Sequence, residues 1–295
     1  MKKACFLIIV FLAPLVVDAQ SFYKRRRDRS FVASFGTGLG TYFGDLKDPG
    51  DYIDTKLNLE FGLEYKFASR FGAKAMLTLF RLEGNDDESK DLESGRIQRN
   101  LWFRSDNMEL TVLGTVQLYE DKQRYYQRRN FNIYGFAGFG ILWYSPRATI
   151  PETGWDGSPL PDAGKWTALR QYKTEQADYG AFSFVIPVGL GIRYKINPWF
   201  NIALDGGYRF TFTDYLDDVS STYPGISSFS DDPVAAALSD RRHELDLNAR
   251  PEGSIRGNPD KNDGYFLWNV KVEYYLPSFF GVGTGAHRRN AGRHR

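Results

Sequence analysis

The stretch TKLNLEFGLEYKF, residues 55–67, places a large apolar side chain at every second position. The apolar positions are Leu57, Leu59, Phe61, Leu63, Tyr65 and Phe67, and they alternate with Lys56, Asn58, Glu60, Gly62, Glu64 and Lys66. A period of two predicts a β-strand with one apolar and one polar face. In a soluble sandwich the apolar face would point inward, whereas in a membrane barrel it would point outward to lipid. The choice between a soluble sandwich and a membrane barrel depends on the rest of the sequence.

The composition narrows the class of protein. The chain has 295 residues, a formal net charge of +2 and 16% aromatic residues. A charge so close to neutral gives no general sign of nucleic-acid binding, so we expect no nucleic-acid partner. Beyond the N-terminus no apolar run is long enough for a membrane-spanning helix.

The first 19 residues read as a secretory signal peptide. Lys2 and Lys3 precede an apolar run over residues 4–17, and Val17-Asp18-Ala19 supplies small residues for cleavage after Ala19. The one cysteine, Cys5, lies inside this segment. We therefore expect an exported mature chain without disulfides or a cysteine-ligated metal.

Eight segments with strand character follow the signal peptide. They cover residues 30–43, 55–67, 71–82, 101–119, 131–144, 182–196, 200–212 and 265–276. The fifth is apolar on both faces, which leaves its orientation open. An even number of strands, each long enough to cross the hydrocarbon, is typical of bacterial outer-membrane barrels.

The links between these segments differ in length in an ordered way. Residues 68–70 and 197–199 are tight turns, and residues 120–130 are a link of moderate length. The other four links, residues 44–55, 83–100, 145–181 and 213–264, are longer. Short turns at one end and long loops at the other indicate an all-β fold, an eight-stranded antiparallel transmembrane barrel with short periplasmic turns and long extracellular loops.

Aromatic residues near the strand ends predict two interfacial girdles. The tight-turn girdle would contain Phe67, Phe71, Tyr194, Trp199 and Phe200, and the loop-side girdle Tyr42, Phe43, Trp143, Tyr144, Phe182, Phe212, Tyr215 and Tyr265.

The polar faces predict a charged lumen. The inward set is Lys56, Glu60, Glu64, Lys66, Lys74, Glu109, Arg193, Lys195, Asp205, Arg209, Lys271 and Glu273. Because an eight-stranded barrel has room only for its own side chains, the sequence favours internal ion pairs over an ion path.

The sequence predicts no catalytic residue, cofactor or metal ligand. His243, His287 and His294 lie in a loop or the C-terminal tail, away from any strand serine that could act as a nucleophile. The acidic clusters, residues 86–88, 214–218, 231–232 and 260–263, are expected to be solvated loop charge. The least ordinary is TDYLDD, where Asp214, Tyr215, Asp217 and Asp218 form a candidate loop site.

Both chain ends are basic and would lie at the tight-turn, periplasmic end, because eight strands return the chain to its starting side. Lys24, Arg25, Arg26, Arg27 and Arg29 form the N-terminal candidate contact, and HRRNAGRHR closes the tail. These ends suit periplasmic partners or anionic headgroups, with solvated, disordered ends as the alternative.

Three stretches carry a resemblance to a known family: YFGDL at residues 42–46, RNLWFRSDNMEL at residues 99–110 and GYRFTFTDYLDDVSSTY at residues 207–223. With the Ala19-Gln20 junction and the closing VEYYL, the chain resembles the PorG-like family of small outer-membrane barrels. The resemblance implies association with the type IX secretion system and its periplasmic ring, which a lipoprotein and its partner subunit form. It implies no enzymatic activity and no cofactor.

The expected organisation is a signal peptide (1–19), a basic periplasmic segment (20–29), an outer-membrane barrel (30–277) and a basic tail (278–295). The expected function is a non-enzymatic component of type IX secretion that anchors or organises the periplasmic ring, in contact with outer-membrane lipids. The alternative is a general surface or porin-like barrel that binds ligands through its long loops.

Overall fold

The computed structural model describes residues 29–48, 55–91, 95–122 and 124–277. The predicted signal peptide, nearly all of the basic segment 20–29 and the tail 278–295 lie outside the described residues. Within the described ranges, no helix combines the length and apolar character that crossing a membrane would require.

Ten antiparallel strands form one sheet. They are β1 (Phe31–Phe43), β2 (Lys56–Lys66), β3 (Phe71–Asn85), β4 (Trp102–Gln117), β5 (Phe131–Trp143), β6 (Pro146–Thr149), β7 (Trp166–Ala168), β8 (Phe182–Lys195), β9 (Phe200–Thr211) and β10 (Gly264–Tyr275). The eight long strands close into a barrel, since β1 pairs with β10 and β3 pairs with β4. The hairpin β6–β7 extends the wall above β4. The eight predicted strands are confirmed with small changes at their ends.

The opening stretch lies in β2 with its apolar face outward. Leu57, Leu59, Phe61, Leu63 and Tyr65 are all at least 43% exposed, whereas Glu60 and Glu64 are 1% exposed. The same alternation runs around the barrel, so its outer wall is a continuous apolar band and its interior is polar. A band of this kind is stable only against lipid, because water would leave a large apolar surface unburied.

Strand β5, whose orientation the sequence left open, has large side chains inside the barrel. Tyr134, Phe136 and Leu142 are buried. The Phe136 ring fits against Gly189 and Gly207 of the neighbouring strands, where an added Cβ would lie 2.3 Å and 2.8 Å from its Cζ atom. Glycines on β8 and β9 thus make room for the aromatic side chains of β5.

The aromatic girdles are confirmed at the tight-turn end and only in part at the loop end. Phe71, Tyr194, Trp199 and Phe200 are exposed at the first, and Phe67 is half-buried there. At the second, Trp143, Phe182 and Phe212 are exposed, but Tyr42, Tyr144 and Tyr265 are buried. The sequence placed these three tyrosines wrongly, because their hydroxyl groups form hydrogen bonds inside the protein.

The long links fold into a compact layer over the loop end, which we call the cap: residues 44–48, 86–91, 95–101, 144–181 and 212–263. It contains the helices α1 (Arg96–Arg99) and α2 (Pro233–Ser239). Asp232 caps α2 by accepting a hydrogen bond from the Ala235 amide, and Pro233 begins the helix.

The hydrophobic core of the cap continues into the upper lumen. Leu46, Leu216, Val219 and Leu238 of the cap belong to the same buried cluster as strand residues such as Leu267. The cap therefore closes the upper end of the barrel. The sequence did not predict this folded layer.

Candidate functional site

The lumen is filled by paired charges. In its middle, the Lys271 ammonium lies 2.5 Å from both Glu60 Oε1 and Asp205 Oδ2, and Lys74 lies 3.6 Å from Glu60. These four side chains come from β2, β3, β9 and β10, so the network ties opposite walls together. All four are buried.

A second network lies nearer the periplasmic end. The Arg193 guanidinium donates to Glu64 Oε2 at 2.6 Å and to Glu273 Oε1 at 2.8 Å. Its Cζ atom also lies 4.2 Å from the centroid of the Tyr134 ring. One arginine therefore pairs with two carboxylates that would be costly to bury unpaired. The predicted internal ion pairs are confirmed.

Two residues of the predicted inward set lie elsewhere. Lys56 is half-buried at the upper end of β2 and pairs with Glu83 at 3.0 Å, outside the packed lumen. Lys195 is half-buried at the lower end of β8 and donates to the Tyr126 carbonyl. Both residues lie at strand ends, where both faces of the barrel wall are open to solvent. The alternation of the sequence therefore does not determine whether these side chains are buried.

The stretch TDYLDD lies across the mouth of the barrel. Two of its residues belong to what we call the mouth cluster: Tyr42, Asp45, Asp214, Asp217 and Asp263. The Tyr42 hydroxyl lies 2.6 Å from Asp217 Oδ2 and 2.9 Å from Asp263 Oδ1. A phenol has one proton, so both contacts are hydrogen bonds only when one carboxyl group keeps its own proton. Burial raises the pKa of both Asp217 and Asp263 well above the usual value, in agreement with this geometry.

Asp214 is the least satisfied member of the mouth cluster. It is 8% exposed, and its Oδ2 atom is buried without a hydrogen-bond partner. Burial raises the pKa of Asp214 to about 7, and the charges of Asp45 and Glu175 contribute in the same direction. The mouth cluster thus holds more acid groups than cations.

Asp218 points away from the mouth cluster into the cap. Its carboxylate accepts hydrogen bonds from Thr174 at 2.5 Å and Tyr179 at 2.6 Å, and Arg256 lies 3.7 Å away. Burial raises the pKa of Asp218 to about 6. Tyr215 is half-buried, and its hydroxyl lies 3.4 Å from Glu175 Oε2.

The candidate loop site is therefore an internal structure. Asp214, Asp217 and Asp218 are buried, and so is Asp86, which accepts hydrogen bonds from Arg96 and Arg99. The expectation of solvated loop charge is wrong for these residues and for Asp263. It holds for Asp231 and Asp260, which are exposed.

Among the described residues, no group of three acidic, histidine or cysteine side chains is arranged to hold a metal ion. His243 lies in the cap, and its ring nitrogens contact the main-chain carbonyls of Asp240 and Thr153. His287 and His294 lie outside the described residues.

At the periplasmic end, only Arg29 of the basic N-terminal candidates is described. Its guanidinium lies 4.0 Å from the ring centroid of Trp199 and 4.7 Å from that of Tyr125, and it donates to the Tyr275 carbonyl. Arg29 therefore fixes the start of the barrel chain to the tight turns. Lys24, Arg25, Arg26 and Arg27 lie outside the described residues.

Two arginines that the sequence did not single out organise the ends of the barrel. Arg128 closes the periplasmic end by donating to the carbonyls of Tyr125, Asn197 and Pro198. Arg99 joins the links of the cap by donating to Asp86 and to the carbonyls of Asp45 and Arg256. The sequence feature that could have indicated this role is the position of Arg99 at the start of the RNLWFRSDNMEL stretch.

The closed ladder, the outward apolar band and the charged interior define the class: an eight-stranded transmembrane β-barrel of the outer-membrane type. No protein-family model matches the chain. No curated protein matches it either.

Several solved structures of outer-membrane proteins are similar to this chain over most of its length. Neisserial surface protein A is 7% identical with a TM-score of 0.40, and the alignment covers 84% of this chain and 97% of that protein. The outer-membrane protein OprG from Pseudomonas aeruginosa is 11% identical with a TM-score of 0.38, covering 85% and 98%. A major outer-membrane protein from Thermus thermophilus is 13% identical with a TM-score of 0.36, covering 83% and 98%.

Proposed function

We propose that this barrel is a non-enzymatic component of the type IX secretion system that anchors or organises the periplasmic ring at the outer membrane. The observation that carries the proposal is the sequence stretch at residues 207–223, which resembles PorG-like proteins. The acidic residues of this stretch form the closed mouth of the barrel, which suits a structural component better than a channel.

The periplasmic end supports an anchoring role. Arg29, which follows the basic residues 24–27 in the sequence, is held between Trp199 and Tyr125 at this end of the barrel. Exposed cations, among them Arg70, Lys122 and Arg129, surround that end. An acidic surface on a ring subunit would complement this charge.

The direct test is a pull-down from detergent-solubilised membranes, with the triple variant Arg25→Gln, Arg26→Gln and Arg27→Gln beside the wild type. We expect the ring subunits to co-purify with the wild type and to be depleted with the variant. A variant of cap cations, Lys165→Gln with Lys173→Gln, is the matched control and should retain them. Equal amounts of each barrel in the outer membrane are a precondition for the comparison.

Gene deletion tests the role in secretion itself, because loss of the component should keep cargo out of the medium. Normal cargo secretion, in a strain without a compensating paralogue, would refute the proposal. The porin-like alternative predicts a steady conductance in planar bilayers, whereas the filled lumen predicts none.

A further inference from the structure

Two arginines face each other on the outer wall of the barrel above the apolar band. Arg104 of β4 pairs in register with Arg147 of β6. Their side chains point outward, because Pro146 and Ala148, which flank Arg147, are buried. Directly opposed residues on antiparallel strands have Cβ atoms about 5 Å apart, and like charges at that distance are destabilising unless something compensates them.

The neighbouring charges on the same wall are already paired with each other. Arg81 donates to Asp106 at 2.6 Å, and Lys56 pairs with Glu83 at 3.0 Å. In the part of the chain that the structure describes, neither Arg104 nor Arg147 forms an ion pair or a side-chain hydrogen bond. The Nε atom of Arg104 is buried without a hydrogen-bond partner. Glu83 lies opposite Arg104 in the register of β3 and β4, but its carboxylate pairs with Lys56. These six side chains, four cations and two carboxylates, therefore leave two positive charges without a carboxylate of their own.

An aromatic side chain holds one of these arginines in position. The Arg104 Cζ atom lies 3.7 Å from the ring centroid of Trp166 in β7, and Trp166 packs edge-on against Trp102 at 5.2 Å. A guanidinium held against an aromatic ring loses little entropy when it binds, and its planar fork matches the oxygens of a phosphate group.

The distance of Arg104 and Arg147 from the apolar band indicates which ligand they could bind. Met108, on the same face of β4, is exposed and pairs with Trp143, an exposed aromatic residue at the loop end. Arg104 lies four residues closer than Met108 to the loop end of β4. Along the strand this is a distance of about 13 Å, which the tilt of the strand shortens when it is measured along the barrel axis. This distance places the arginines above the hydrocarbon, at the level of the phosphorylated sugars of the outer leaflet.

We propose that Arg104 and Arg147, with Trp166 as a supporting surface, bind a phosphate group of the lipopolysaccharide in the outer leaflet. The bound phosphate would compensate the opposed arginines. This site lies at the opposite end of the barrel from the proposed ring contact, so it does not depend on the role in secretion.

The test uses the full barrel, folded in uncharged detergent and titrated with bisphosphorylated lipid A while binding is followed by native mass spectrometry. The double variant Arg104→Gln, Arg147→Gln should bind lipid A about tenfold more weakly than the wild type. Lipid A without phosphates should bind both proteins equally. Arg147→Gln alone, at an exposed position, provides the test if the double variant does not fold.

The matched control is Arg81→Gln with Asp106→Asn, which removes an existing ion pair from the same wall. It should bind lipid A as the wild type does. Wild-type affinity in the double variant would overturn the proposal. So would equal affinity of the wild type for phosphatidylglycerol and for bisphosphorylated lipid A, since that would show attraction to any lipid phosphate.

Discussion

The lumen and the mouth of the barrel both bury many charged side chains, but they neutralise them in different ways. In the lumen, Arg193 and Lys271 each lie between two carboxylates. At the mouth, the Tyr42 hydroxyl lies between Asp217 and Asp263, and Asp214 has a buried oxygen without a partner. Cations compensate the acids of the lumen, whereas protons compensate those of the mouth. The lumen should therefore be sensitive to loss of a cation, and the mouth to pH.

The largest effect is expected when a lumen cation is removed. Arg193→Met leaves Glu64 and Glu273 buried without their shared partner, which should lower the free energy of unfolding by about 3–5 kcal/mol. Urea unfolding of the barrel in lipid vesicles measures the change. Arg193→Lys keeps the charge and should lose less. A loss below about 1 kcal/mol for Arg193→Met would contradict the account of the lumen, because a buried pair would then behave like an exposed one.

The next largest effect concerns the outward face of the opening stretch. Phe61 lies in the middle of β2 on the lipid-facing wall. Phe61→Arg should therefore cost about 2–4 kcal/mol if the site is near the bilayer midplane. The same unfolding assay measures it, with Phe61→Leu as the control that stays apolar. If Phe61→Arg folds into membranes as well as the wild type does, the outward assignment is wrong.

At the mouth, we expect stability to fall as pH rises. The pKa of Asp214 is raised to about 7 by burial, so the folded state holds a proton that the unfolded chain releases near pH 4. The stabilisation is complete below about pH 4 and is lost as the pH rises through about 7. Thermal unfolding between pH 5 and pH 8 should show this fall, and Asp214→Asn should reduce it, leaving the part due to Asp218, whose pKa burial raises to about 6. An unchanged pH dependence in Asp214→Asn would show that another group carries the effect.

The smallest effect is expected at an exposed ion pair outside both regions. Arg70 lies 3.3 Å from Glu120 at the periplasmic rim, and both side chains are about half exposed or more. Arg70→Met should change the free energy of unfolding by less than about 1 kcal/mol. The urea assay used for Arg193→Met gives the direct comparison, and similar losses in the two variants would mean that burial does not decide the strength of these pairs.

Much of the barrel could be predicted from the sequence, because alternation is a local property. The alternation from Leu57 to Tyr65 predicted strand β2. The lengths of the links predicted which end of the barrel carries the tight turns and which carries the long loops. Strand β5 could not be oriented, because Tyr134 and Phe136 are as apolar as the lipid-facing residues. Their inward position is explained only by Gly189 and Gly191 on the adjacent strand β8 and by Gly207 on β9.

The cap and the mouth cluster could not be predicted from the sequence, for a different reason. Asp214, Asp217 and Asp263 are polar residues in long links, and such residues are usually solvated. Their burial depends on contacts between segments distant in sequence, such as Tyr42 of β1 with Asp263 and Arg99 with Asp45. The Asp232-Pro233 start of α2 was a local signal that the cap is folded.

The contrast between lumen and mouth can be tested most directly by hydrogen exchange of the folded barrel in a bilayer at pH 5 and pH 8, corrected for the intrinsic exchange rate. The amides of Leu216 and Val219 donate to Asp263 and Asp217 of the mouth cluster, whereas those of β10 belong to the barrel wall. Protection of Leu216 and Val219 should fall at pH 8 while protection of β10 stays constant. Constant protection of all these amides, or a parallel loss in both groups, would contradict the account.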